Sequence, residues 1–366
     1  MPRVRVRAIR RDHVVIAFVA VTLALCLIAI NVLFPAAFGV FIAIGGAIGA
    51  LMVVYEVRLT KRLAQAEFIR DLQTSFSADA NICELWRKLL LEEEITPADR
   101  ARVSSYLTFF ETLHLLVDRG ALDLALTDDL FRNRFFKAVG NHGVLETALV
   151  KDPGSFANIH DLIATWHDYL LANGIPMHPG YYGYVAGLAR AKGYEVGRLG
   201  EPDLVDLERL QEEVHGSLTD GSWLRVNSDV MLKECLVDHV TLGARFEGEL
   251  VAAAVLYDGG ESEENIQRYL SDDPDRLRQS INLKVVLVAP GHRRKGLSRT
   301  LVELLEQQAH DLGRTEILCT IHPQNAPSEA LFRMLGYDRR ATVSSAYGSR
   351  NVFGRELPAP DKRWAR

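Results

Sequence analysis

The longest apolar run in the chain lies near its start. From Val14 to Tyr55 there is no Asp, Glu, Lys or Arg, about twice the roughly 20 residues that a helix needs to cross a bilayer. Asn31 and Pro35 mark its middle, Arg3, Arg5, Arg7, Arg10 and Arg11 precede it, and Arg58, Lys61 and Arg62 follow it. Positive charge at both ends favours a hairpin with both ends in the cytoplasm. One long or kinked span and a buried soluble hairpin are the alternatives. Gly45 and Gly49, with Gly46 and Ala50 one step on, have the small-xxx-small spacing that lets membrane helices approach closely.

From Leu59 to about Leu171 apolar residues recur every three or four positions, the period of helices. Thr96 with Pro97 reads as a helix start, Gly120 as an end, and Thr127 with Asp128 and Asp129 as another start. His114, His142, His160 and His167 show no metal-ligand spacing and read as structural or surface residues. The stretch NGIPMHPGYYGY, 173–184, concentrates Gly, Pro and Tyr and reads as a linker.

The period then changes. Val196–Leu199 reads as a strand, Asp203–His215 as a helix, and HVTLGARFEGELVAAAVLYD as two strands joined at Glu247 and Gly248. A polar insertion over 258–280 precedes the buried strand NLKVVLVAP. Helix, strand, helix and a final strand ending near NVFGREL complete the chain. The whole is a mixed α/β (α+β) chain with four parts: a transmembrane hairpin with basic flanks (1–58), a helical cytoplasmic domain (59–172), a linker (173–192) and a C-terminal domain (193–366).

A net charge of −5 and a pI near 6.1 give no global attraction to nucleic acid, so the one cationic turn has to be judged locally. Cys26, Cys83, Cys235 and Cys319 are scattered without a CxxC pair, which argues against a zinc knuckle or a disulfide framework and suits a reducing compartment.

That turn is VAPGHRRKGLSRTL, 288–301, between a β-branched run and a helical pattern. A helix N-terminus with unpaired amides suits a pyrophosphate. The P-loop is excluded because Leu297 stands where it needs lysine, and GxGxxG is absent. What remains is V-x-P-x-x-R-x-x-G-x-S, with NAPSEALFRMLGY (325–337) some thirty residues on.

Together these blocks closely resemble the GNAT superfamily of acyl-CoA N-acyltransferases. Val288, Pro290, Arg293, Gly296, Ser298, Asn325, Ser328, Leu331, Phe332, Gly336 and Tyr337 fill the fixed positions of its two motifs. The upstream segment FFETLHLLVDRGALDLALTDDLF looks like a helical domain of unknown function in bacterial membrane-associated proteins. The GNAT resemblance covers roughly Gly193 to Leu357. It implies a mixed, mostly antiparallel sheet, flanked by helices and split open beside the cofactor strand.

It further implies acetyl-CoA as acyl donor. The backbone of Val286, Leu287 and Val288 would pair with the pantetheine arm. Arg293, Arg294, Lys295, Gly296, Leu297 and Ser298 would hold the pyrophosphate through their backbone. The side chains of Arg294, Lys295 and Arg299 would serve the outer phosphates. Asn325, in the same motif as Ser328, would bond the pantetheine amide, and could equally cap the following helix. The chemistry implied is attack of a neutral primary amine on the thioester. Two familiar residues are missing: Phe332 replaces a tyrosine that protonates the leaving sulfur, and Thr320 replaces a glutamate of the branch that acetylates protein N-termini.

Side chains alternate along 316–322, so Leu318, Thr320 and His322 share a face expected to line the cleft, with Cys319 in the core behind them. His322 is the candidate base or proton relay, with Tyr257 and Tyr347 as further proton donors. Glu261, Glu263, Glu264, Asp272 and Asp273 of the insertion are candidates for attracting a cationic acceptor, small molecule or protein. No metal or nucleic acid is expected. The reading is an inner-membrane N-acetyltransferase with a two-span anchor and a cytoplasmic catalytic domain. The alternatives are an acyl-CoA-binding sensor or scaffold without turnover, and acylation of an amine at the membrane face.

Overall fold

The computed structural model describes residues 35–358, with 21, 22, 26, 28, 29 and 32 ahead of them. The basic arm and most of the first half of the expected hairpin lie outside the described residues, as does 359–366. The chain divides into two compact units, Met1–Asp71 and Leu72–Arg366.

In the first unit Pro35 opens a single 44-residue helix, α1, Pro35–Ala78, which runs on into the second. Among the described residues it is the one helix long and apolar enough, by length and composition, to cross a membrane. Val40, Ile44, Ile48, Leu51, Met52 and Val53 are all exposed on it. The boundary expected at 58–59 falls inside this helix, because no Gly or Pro interrupts Leu51–Ala78.

In the second unit four helices, α2 (Ala80–Leu90), α3 (Arg100–Asp118), α4 (Leu124–Val139) and α5 (Ala157–Ala172), form a bundle. Its centre is aromatic: Tyr106, Phe110, Phe131, Phe135, Phe136 and Trp166 are fully buried. Phe135 lies 5.0 Å from both Phe110 and Trp166, within the range of favourable ring pairs. Asp123, whose carboxylate accepts from Ala125 N, caps helix α4 four residues before the expected start at Thr127. Asp128 is thereby carried into the interior, where its Oδ1 accepts from Trp166 Nε1 at 2.8 Å.

The expected linker is instead a helix, α6, Pro179–Ala191. Pro179 stands in its first turn, where a missing N–H costs nothing, and His178 Nδ1 accepts from Gly180 N at 3.0 Å. Its glycines serve packing rather than flexibility. A Cβ on Gly180 would collide with the carbonyl of Phe136, one on Gly183 with that of Gly140, and one on Gly187 with Leu145. Gly180, Gly183 and Gly187, spaced by three and four, are therefore one helix face, the first two set almost backbone to backbone against the end of α4 and the third against the Leu145 side chain. Tyr181, Tyr184 and Val185 are buried beside them.

The rest builds one seven-stranded sheet, in the order β1-β2-β3-β4-β5-β7-β6: β1 Tyr194–Arg198, β2 Val240–Phe246, β3 Glu249–Tyr257, β4 Ser280–Val288, β5 Glu316–Ile321, β6 Asp338–Ser345 and β7 Gly348–Glu356. Every pairing is antiparallel except β4 with β5. Helices α7 (Leu204–Gly216), α8 (Asp229–Val237), α9 (Pro274–Gln279), α10 (Leu297–Asp311) and α11 (Ala326–Met334) flank it. The strands expected around Val196, at 239–258 and at 282–290 are all present. Helix α8 and strand β6 are additions; β6 is half exposed along its length and so carries little apolar signal.

Candidate active site: a split sheet and the turn after it

Strand β4 is paired along Asn282–Val288 with β3, but only Ser280–Leu283 pair with β5. Beyond Leu283 the two parallel strands separate, and Lys284–Val288 has a sheet partner on one side only. Ala289 N donates to Val251 O at 2.9 Å. By the alternation of an antiparallel ladder, Leu287 therefore bonds toward β3, while Val286 and Val288 present N–H and C=O to the gap. The gap-facing carbonyl of Val288 accepts from Arg293 Nε at 3.3 Å. Of the three expected backbone contacts, Val286 and Val288 face the opening and Leu287 does not.

The chain leaves β4 through Pro290 and turns at Arg294 (φ 60°) and Gly296 (φ 92°) into α10. Leu297, 2% exposed, anchors the new helix in the core. Among the described residues the amides of Arg294 to Arg299 donate to no carbonyl or side chain; the first to do so is that of Thr300, to Gly296 O at 3.0 Å. Six consecutive amides at the positive end of a helix dipole, on a mostly exposed loop, form a candidate anion site by elementary electrostatics.

The four cationic side chains divide. Arg294 and Lys295 extend from the turn into solvent. Arg293 is tied to Val288 O and to Ser217 Oγ at the end of α7. Arg299, expected at the outer phosphates, points back along the helix: its Nε donates to Glu303 at 2.9 Å and its Nη2 to the Tyr181 hydroxyl at 3.3 Å. The cause is Glu303, a carboxylate only 2% exposed that needs a charged partner one turn away. Tyr181 of α6 donates to the same carboxylate at 2.9 Å.

Across the gap, Asn325 caps α11 by accepting from Ser328 N at 3.2 Å. Its Nδ2 donates to no group among the described residues. His322 is half buried and its Nδ1 accepts from Gln324 N at 3.2 Å. The neutral ring then carries its proton on Nε2, a donor, so the expected base is occupied as a turn cap. Phe332 is buried edge-on against Tyr337 at 5.0 Å. Cys319 is buried, and that burial raises its thiol well above the ordinary range.

The face carrying Leu318 is not an open cleft there, because Ile266 of the insertion and Val352 cover it. The insertion's carboxylates are largely spent on its own structure. Glu264 takes a two-pronged bond from Arg225 (2.9 and 3.1 Å) and another from Lys284 (2.6 Å). Glu261 pairs with Arg278 and Asp272 with Arg268, while Asp273 caps α9. Glu263 alone remains exposed without such a role. An acidic funnel for a cationic acceptor is therefore not what these residues form.

Tyr257 donates to Glu234 at 2.9 Å, and burial together with that carboxylate pushes its phenol up to about 12, so it stays protonated at neutral pH. The Tyr347 ring lies 4.8 Å from the Arg225 guanidinium and 5.1 Å from that of Arg350. Arg225, Glu234 and Arg350 escaped the sequence reading, since their partners lie far along the chain.

The Glu264 cluster predicts a pH response. The Arg225 guanidinium, helped by Lys284, holds its carboxyl down at about 2, against an ordinary value of 4.5. A depressed carboxylate contributes stability above its unfolded pKa, and that contribution is lost as pH falls through the folded one. Amide exchange in 259–280 is expected to accelerate between about pH 4.5 and about pH 2, and Glu264→Gln is expected to remove that step. An identical step in the variant would assign it to another group.

Residues 205–337 match the model of the Acetyltransferase (GNAT) family. No curated protein matches the chain. Among solved structures it resembles the ribosomal-protein-S18-alanine N-acetyltransferase from Escherichia coli, at 15% identity over 46% of this chain and 97% of that one, with a TM-score of 0.35. It also resembles a putative acetyltransferase from Salmonella typhimurium with its cofactor acetyl-CoA, at 21% identity over 46% and 98%, TM-score 0.36. A third is the PaiA N-acetyltransferase from Thermoplasma acidophilum in complex with coenzyme A, at 18% over 45% and 99%, TM-score 0.34. Over residues 205–337, the chain is thus similar to the GNAT family of acetyltransferases.

Proposed function

We propose that the protein transfers an acetyl group from acetyl-CoA to a primary amine, from a membrane-anchored position. What carries this reading is the coincidence of the opened β4 edge with the six unpaired amides that follow it. The amides of Arg294 to Arg299 bind the diphosphate, with the side chains of Arg294 and Lys295 at the outer phosphates. Val286 and Val288 bond the pantetheine arm through the backbone and polarise the thioester carbonyl. Asn325 offers its free Nδ2 to the same arm.

The amine nitrogen attacks the carbonyl carbon, a C–N bond forms as the C–S bond breaks, and the amine's proton passes through water to the departing thiolate. No side chain need donate that proton, because a thiol of pKa near 8.5 is a tolerable leaving group. The exposed apolar stretch of α1 is the anchor, flanked by Arg58 and Lys61, with the transferase on the cytoplasmic side. On this reading 1–58 belongs to the membrane part, 59–192 to a helical layer and 193–366 to the transferase.

The test uses the full chain in detergent micelles with acetyl-CoA and a panel of amines: amino acids, polyamines and peptides with free N-termini. Amine-dependent thiol release, with an acetylated product by mass spectrometry and the activity in the membrane pellet before solubilisation, is the expected result. Acetyl-CoA binding without turnover on any amine would replace the enzyme by an acyl-CoA sensor. Absence of binding would end both readings.

A further inference from the structure

Gly296 is free to undo the turn it makes. It reaches φ 92° without strain, but glycine populates negative φ about as readily. A rotation of the 295–296 peptide would therefore swing the Gly296 N–H away from its five neighbours at little intrinsic cost. A contact from outside the turn opposes that rotation. Lys192, the C-cap residue of α6, donates from Nζ to Lys295 O at 3.3 Å. In a trans peptide the C=O of Lys295 and the N–H of Gly296 point opposite ways. Holding the carbonyl thus aims the amide. The same geometry puts the Lys192 ammonium on the side of the peptide away from whatever the amide meets.

Two residues on, Tyr194 at the start of β1 holds the entry to the turn. Its hydroxyl lies 3.0 Å from His292 Nδ1, and the His292 ring packs against the rings of Tyr194 and Phe246 at 5.7 and 5.2 Å. Tyr181 secures the exit through Glu303 and Arg299. The amides are thereby braced before, within and after the turn by three side chains of the 181–194 stretch.

We propose that this stretch sets the affinity for acetyl-CoA: Lys192 and Tyr194 are positioning residues that keep the amides of Arg294 to Arg299 aimed together, and neither touches the cofactor. The inference rests on the reading of the turn as the diphosphate site. Lys192 is exposed, so its side chain can be changed without disturbing the core. Tyr194 is uncharged and 2% exposed, so it has nothing of its own to offer a phosphate.

The test titrates a non-hydrolysable acetyl-CoA analogue calorimetrically into the full chain in detergent micelles, beside a thermal melt. Lys192→Met keeps the apolar stem and removes the donor. It is expected to weaken binding by about three- to tenfold, the range of one net hydrogen bond, with a melt close to wild type. Tyr194→Phe is expected to weaken binding by a similar factor, and Lys192→Arg, which restores a donor, to recover most of the loss. In turnover the change is expected in KM for acetyl-CoA, with kcat at saturation and KM for the amine unchanged, because a mis-aimed amide is lost to the bound complex and the transition state alike. A general loosening of the fold would not divide the constants in that way. Wild-type affinity in Lys192→Met or in Tyr194→Phe, or a loss that Lys192→Arg leaves in full, would overturn the proposal. A wild type that does not bind the analogue would remove the diphosphate reading itself, and this inference with it.

Discussion

Gly296→Val is expected to lower the affinity for acetyl-CoA by about 100-fold or more while leaving the protein folded. Two effects act together. At φ 92° a β-branched residue is strained, a penalty of order 1–3 kcal/mol that the turn relieves by rotating its amides away from their common focus. The new side chain also enters space beside the turn that no protein atom occupies within 4 Å, space a bound diphosphate would need. A factor of 100 corresponds to about 2.7 kcal/mol, within reach of either effect plus the lost amide contacts. Binding of a non-hydrolysable acetyl-CoA analogue by calorimetry, beside a thermal melt, checks it. A melt close to wild type with unchanged affinity would remove the diphosphate from this turn.

The second large effect concerns stability rather than binding. Gly180→Ala adds one methyl group, yet it is expected to destabilise the Leu72–Arg366 unit by about 3 kcal/mol or more, at the upper end of what overpacking costs. The reason is the identity of the obstacle. The added Cβ meets the carbonyl oxygen and carbon of Phe136, which are backbone atoms and have no rotamer to change. For a unit of this size the melting temperature would fall by roughly 5–10 °C. Gly197→Ala is the control: its Cβ meets nothing within 4 Å, and the change is expected to stay within about 0.5 kcal/mol. Equal melts for the two variants would mean that α6 does not pack on α4 as described.

Much of the C-terminal sheet domain was readable in advance because its signals are local. A β-branched run stopping at Pro290, a glycine where the chain turns, and helical spacing from Leu297 all sit within a few residues of one another, and they placed the strand, the turn and the helix. The strand–turn–strand around Glu247 and Gly248 was readable for the same reason. The errors have two physical sources. One is a residue type with two uses: glycine and proline in 173–192 loosen a chain, but they also open a helix and let it touch a neighbour, and only the spacing 180, 183, 187 tells these apart. The other is distance along the chain. That Glu264 is neutralised by Arg225, 39 residues away, and that Arg299 turns to Tyr181, 118 residues away, cannot be seen in a local pattern. His322 combines both, since the ring that suits proton transfer also suits a turn, and the geometry uses it for the turn.

The Tyr181–Glu303–Arg299 tie joins α6 to α10. The first turn of α10, with its unpaired amides, is fastened by Tyr181, a residue of the preceding helical layer that lies outside the matched span 205–337. An isolated 205–337 fragment would also lack β1, β6 and β7 and would leave Glu303 without its Tyr181 partner. The unit that a geneticist could transplant or a crystallographer could trim begins well upstream of residue 205.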